Sequence, residues 1–184
     1  MKSGRISALA SMLLLLAACR SDPISFHTLT PAQPAGPSYS VVGEIQIESM
    51  TVPPQVDRPQ IVIRQGDSGL AILETQWWAA SLSEELRSAL SDQLNNVRVN
   101  GKVLLRVEVQ RFDSVPGQYA LMDANWRLRS ADGAFSLNCR SVLQTASGVS
   151  IDDLVAAQQN NVKRLAALVG RTASKPGNGC PAAQ

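Results

Sequence analysis

A single histidine, His27, serves all 184 residues, and that scarcity removes much familiar chemistry before any motif is read. A serine or cysteine nucleophile needs a base held beside it, and a zinc shell needs three or four clustered ligands. The cysteines stand far apart at 19, 139 and 180, and no group of carboxylates makes up the deficit. No glycine-rich loop of the phosphate-cradling or dinucleotide type occurs. Charge of one sign is also missing: 17 Lys and Arg face 15 Asp and Glu without a basic cluster, a poor match to the concentrated positive charge that nucleic-acid binding requires. These absences point to a binding or assembly protein, not an enzyme, with no cofactor, no metal and no nucleic-acid partner.

What is present begins with an export signal. Lys2 and Arg5 precede an apolar run from Ile6 to Leu16, and the small residues Ala17 and Ala18 lead to Cys19, the three-part layout of a secretory leader too short to span a bilayer. The ending Leu16-Ala17-Ala18-Cys19 resembles the lipobox of bacterial lipoproteins. That resemblance implies cleavage after Ala18 and acylation of Cys19, and two or more acyl chains hold a protein stably on a membrane. Arg20 stands where an Asp would retain enterobacterial-type lipoproteins in the inner membrane, so the expected address is the periplasmic face of the outer membrane. Loss of residues 1–18 takes Lys2 and Arg5 away from the 17 cations, which leaves a mature chain close to neutral.

Four sections follow from composition: a leader at 1–18, the acylated cysteine with a Pro-rich linker at 19–38, one domain at 39–172 and a Gly/Pro-rich tail at 173–184. Stretched out, about 19 linker residues reach roughly 60 Å, with Phe26 to Leu29 the stretch most able to dock back on the domain. Within the domain, Val41, Ile45 and Ile47 alternate with Glu44, Gln46 and Glu48, the period of a half-buried strand. Ile61 and Ile63 mark a second strand, and the turn Gly66-Asp67-Ser68-Gly69 leads to a third over 70–74. Leu82, Leu86, Leu90 and Leu94 then recur every four residues in an amphipathic helix, with Ser81 and Glu84 spaced as a capping box. Its leucine stripe is expected to lie on a sheet, the alternative being a seam for a partner.

Three strongly alternating strands come next, led by Val103 to Val109, Ala120 to Leu128 and Phe135 to Leu143, with short turns that favour an antiparallel meander. Ser150 caps a second helix whose acidic start, Asp152 and Asp153, suits the helix dipole, and Gly170 is its expected stop. The order βββ-α-βββ-α describes a single α+β domain, a mostly antiparallel sheet with two helices packed on one face. Cys139 and Cys180, in an oxidising compartment, either bridge and pin the tail or leave Cys139 as a buried thiol.

The string Gly66-Asp67-Ser68-Gly69 looks like the nucleophile sequence of chymotrypsin-type proteases, but no histidine base accompanies it and Leu70 breaks the pattern; a tight turn explains the same residues. Core packing leaves one segment unexplained, Pro53 to Val62 with Asp57-Arg58-Pro59-Gln60 at its centre, and after it the pair Trp77-Trp78. With the lipobox, Phe26-His27-Thr28-Leu29, the Leu-striped helix and the meander, this segment resembles the PqiC/YmbA-type ABC-transport auxiliary lipoproteins over nearly the whole chain. The doubled tryptophan and the Cys139/Cys180 pair depart from that pattern.

The resemblance implies a non-enzymatic subunit of an MCE-type lipid-transport system, docked on a periplasmic MCE-domain protein and through it linked to an inner-membrane component. Asp57 and Arg58 would then face the MCE subunit or a neighbouring copy in a homo-oligomer. Their alternative is an internal ion pair and turn stiffened by Pro59. Of Trp77 and Trp78, which point opposite ways on one element, one belongs in the core and the other is left for a partner or lipid. Two other readings remain: an envelope lipoprotein that activates peptidoglycan synthesis or assists outer-membrane assembly, and a carrier that holds acyl chains between sheet and helices. Against the carrier, the apolar faces are just sufficient to fill a core.

Overall fold

The computed structural model describes residues 22–32 and 43–181. The leader, Cys19, Arg20 and residues 33–38 of the expected linker lie outside the described residues. Within them the elements run β1 (Ser25–His27), β2 (Glu44–Thr51), β3 (Gln60–Gln65), β4 (Gly69–Trp78), α1 (Leu82–Leu94), β5 (Lys102–Val115), β6 (Tyr119–Ser130), β7 (Ser136–Ala146) and α2 (Ile151–Ser174). Strands, helix, strands and helix follow in the expected α+β order, with β1 as an additional first strand.

The strands form two sheets, ordered β1-β4-β3 and β2-β5-β6-β7. β5, β6 and β7 make the antiparallel meander that their alternation predicts. β2 joins parallel to β5 and β1 parallel to β4, pairings between strands distant in sequence that no local pattern encodes. α1 and α2 cover one face of the larger sheet: Leu86, Leu90, Val162 and Leu165 close over Val107 and Met122. Burial of this aliphatic layer is the main favourable term, roughly 25 cal/mol for each Å² of apolar surface removed from water.

Two bulges shape the larger sheet. Gln110 is an extra residue in β5, since Val109 pairs with Ala124 and Arg111 with Asp123. The insertion resets the alternation, so Phe112 and Ser114 continue the inner face begun by Val103 to Val109 and the strand runs on to Val115. Glu48 is the extra residue in β2.

α2 opens with a complete capping box, the Ser150 side chain accepting from the Asp153 N–H and the Asp153 carboxylate accepting from the Ser150 N–H. It does not stop at Gly170 but continues to Ser174. A Cβ on Gly170 would stand 3.0 Å from a Val97 methyl, so this glycine permits the close approach of the loop after α1 and does not end the helix. At α1 the expected box is absent: Ser81 makes no capping bond from its side chain. The donor at Ser83 N goes instead to Asp57 Oδ1, 3.1 Å away. Cys139 and Cys180 are disulfide-bonded, Cα to Cα 5.5 Å, and the bridge holds the tail against β7.

The stretch around Leu29 is docked on the domain. Leu29 is fully buried, and its N–H donates to Glu85 Oε2 at 2.8 Å, an oxygen that also accepts from the Thr28 hydroxyl. The Ala79 N–H donates to His27 O, and Gln159 Nε2 donates to Thr28 O, so α1, α2 and the end of β4 all hold this segment.

Candidate docking surface

The segment around Asp57-Arg58-Pro59-Gln60 sits where β3, β4 and α1 meet. Turn bonds shape it, Val56 N to Pro53 O and Arg58 N to Val56 O, and the buried Val56 side chain anchors it. Pro59 O accepts from the Trp78 N–H, and Gln60 pairs with Trp77. Asp57 caps α1 as described, a favourable place for a carboxylate because the first turn of a helix exposes unpaired N–H groups.

Arg58 behaves differently from its neighbour. No ion pair joins it to Asp57 among the described residues, and its Nε is buried without a hydrogen-bond partner there. A buried donor left unmade costs about 1–3 kcal/mol, and the Nε of Arg64 is enclosed without a partner in the same way.

The two tryptophans divide. Trp78 is in the core, 3% exposed; Trp77 lies on the outer side of the small sheet, where its ring meets Phe26 edge to face with centroids 6.3 Å apart. Its indole N–H donates to Glu74 O at 2.9 Å. Phe26, Trp77 and Gln60 therefore form one row across β1, β4 and β3. His27 points the other way, Nε2 2.7 Å from Gln76 Oε1 and Nδ1 3.5 Å from Asp152, so the sole imidazole has structural neighbours at both nitrogens. Among the described residues no three His, Cys, Asp or Glu side chains come together as a metal site.

The outer face of the larger sheet carries Arg106, Arg127, Arg129 and Arg140, which the sequence shows only as the polar half of alternating strands. Arg106 and Arg127 are direct cross-strand partners, a like-charge contact that would destabilise the sheet. The bulged Glu48 answers it: its two oxygens accept from Arg106 Nε and Arg129 Nη2, each at 2.8 Å, and these bonds hold its carboxyl below the usual range. Asp123, buried beneath Arg140, accepts two bonds from that guanidinium at 2.9 and 2.6 Å; its carboxyl too is held low, chiefly by Arg140 and against the effect of burial. Three of the four guanidiniums are thus paired within the sheet, while Arg127 donates to the Ser136 hydroxyl.

Because the folded pKa of Asp123 is depressed, its contribution to stability is complete above the ordinary value of 3.8 and is lost as pH falls through the lower folded value. Arg140→Ala is expected to destabilise the domain by roughly 1–3 kcal/mol at neutral pH and to begin acid unfolding at a higher pH. Urea titrations across the acid range check this; an unchanged acid limb would dismiss the pair as a stabilising contact.

The family model described as "ABC-type transport auxiliary lipoprotein component" matches residues 27–170. A solved structure titled as an uncharacterized protein superposes with TM-score 0.64 at 17% identity, over 82% of this chain and 98% of that one. A Xanthomonas campestris protein of family DUF330 gives TM-score 0.61 at 18% identity, over 85% of this chain and 96% of that one. A comparison with curated proteins yields no match. At these identities the solved structures establish the fold alone.

Proposed function

The chain belongs to the family of ABC-type transport auxiliary lipoprotein components, and on that premise we propose that it is the outer-membrane subunit of an MCE-type lipid-transport system. Acylated at Cys19 and facing the periplasm, it docks on a periplasmic MCE-domain protein and through it reaches an inner-membrane component. The match to an auxiliary transport family supports a role in assembly. The observation that supports the docking step is that Arg58 is only partly buried on the loop before β3 and has no ion pair among the described residues. A carboxylate or backbone carbonyl of the partner would accept from the terminal N–H groups of that guanidinium in a charge-assisted bond. Asp57 and Trp78, by contrast, support the arrangement from within, as a helix cap and a core side chain.

Arg58→Ala is expected to lower copurification with the MCE-domain protein about tenfold or more, as removal of a buried charged hydrogen bond at an interface does, while the thermal midpoint of the isolated chain stays the same or rises. Retained copurification from a folded variant would remove the docking role from this residue.

A further inference from the structure

β1 presents an apolar surface that the core does not use. Ile24 and Phe26 are 46% and 65% exposed, and Phe26 extends its surface onto the ring of Trp77. The only polar atom of that ring is already bonded to Glu74 O. The three side chains form a small ledge of hydrocarbon and aromatic carbon at the edge of the small sheet.

We propose that this ledge rests in the lipid interface of the membrane that holds the anchor, so that the domain lies on that membrane through β1 and β4. The inference rests on acylation of Cys19, as the proposed function does. Cys19 precedes Ile24 by five residues, a stretch that spans at most about 18 Å. The other end of this tether is fixed. Phe26 is in a strand and Leu29 is buried, its N–H held by Glu85, so residues beyond Ile24 contribute no slack. An acylated Cys19 therefore keeps the ledge within about 18 Å of the lipid headgroups, less than half the roughly 40–45 Å thickness of a bilayer with its headgroup layers. At such a distance the tether makes insertion effectively intramolecular, and even a weak preference is realised. Phenylalanine, isoleucine and an indole ring are side chains that gain from that layer.

A protein partner fits the ledge less well. Specific interfaces bury roughly 800 Å² on each side, whereas an aromatic side chain contributes about 150–250 Å² when fully covered, and these three are partly covered already.

The test uses the lipidated chain purified from membranes and placed in vesicles of phosphatidylethanolamine and phosphatidylglycerol, with or without dibrominated phosphatidylcholine as a lipid-phase quencher. Trp78 and Trp126, both buried, supply a constant background that also reports an intact fold, and the difference from Trp77→Phe isolates the signal of Trp77. Expected is a roughly twofold loss of the Trp77 emission in brominated vesicles, protection of Trp77 from aqueous iodide, and reversal of both in the Ile24→Ser, Phe26→Ser double variant. If the chain floats with the vesicles while Trp77 stays open to iodide and indifferent to bromine, the inference falls and the anchor stands. Protection from iodide without quenching by bromine means that a protein surface covers the ledge, which also overturns it. A chain that fails to float with vesicles overturns the anchor and this inference together.

Discussion

Leu29→Ala is expected to destabilise the fold by about 2–5 kcal/mol, the usual range for removing a fully buried leucine. Leu29 has no exposed surface, and its loss opens a cavity beside α1 and removes the buried apolar anchor of the segment. The remaining ties are the pairing of β1 with β4, the Ala79 N–H on His27 O, Leu29 N and the Thr28 hydroxyl on Glu85, and Thr28 O on Gln159. Once the segment lifts, the carboxylate of Glu85 loses both of its donors while still largely enclosed, so packing and hydrogen bonding fail together. Glu85→Ala should reach the same state from the other side. Both variants should become sensitive to protease between residues 22 and 32 before the rest of the domain unfolds. Urea midpoints and the map of early cleavage sites check this, and a midpoint within about 0.5 kcal/mol of the parent would show that Leu29 is not docked. The outcome also bears on the membrane: a released segment would part Ile24 and Phe26 from Trp77, and the domain would hang on a longer tether.

Asn161→Ala should cost about 2–4 kcal/mol, combining an orphaned polar network with a cavity. Asn161 and Gln158 are fully buried on the inner face of α2. Asn161 donates to Ala120 O at 3.0 Å and to Gln158 Oε1 at 3.2 Å, and accepts from the Thr145 hydroxyl at 2.8 Å. Gln158 donates to Asp113 O and to the Ser114 hydroxyl. Together they tie the first turns of α2 to the ends of β5, β6 and β7, so the helix has one rotation and one height at which every donor is matched. A cycle of Asn161→Ala with Thr145→Val should be non-additive by about 0.5–3 kcal/mol, since the two side chains share a bond. Additive losses would mean that the network does not act as a unit.

Much of the fold was legible because it is written at short range. The Leu82 to Leu94 stripe and the alternation of Val103 to Val109 and Ala120 to Leu128 depend only on which residues recur along one element, and those elements stand where the pattern puts them. Prediction stopped where the period broke. The bulge at Gln110 hid the last third of β5, and the extra residues of β4 opposite Ile61 hid its run to the two tryptophans. The candidate site was read in part: the Asp57-Arg58-Pro59-Gln60 loop and one outward tryptophan were visible as residues without a core role. That Asp57 caps α1 was not visible, because Ser83 lies 26 positions from Asp57.

By itself the sequence determined the α+β order, the apolar faces, the short turns and the expectation of an acylated Cys19. Each follows from nearest-neighbour chemistry or from a motif complete within a few residues. Tertiary structure alone decided that the strands split into two sheets, that β1 and β2 join in parallel, that Glu85 clasps the Thr28–Leu29 segment, and that Phe26 meets Trp77 on an open surface. These are pairings across 51 or more positions. Their partners are chosen by how preformed faces best bury one another, a property of the whole packed chain and not of any window along it.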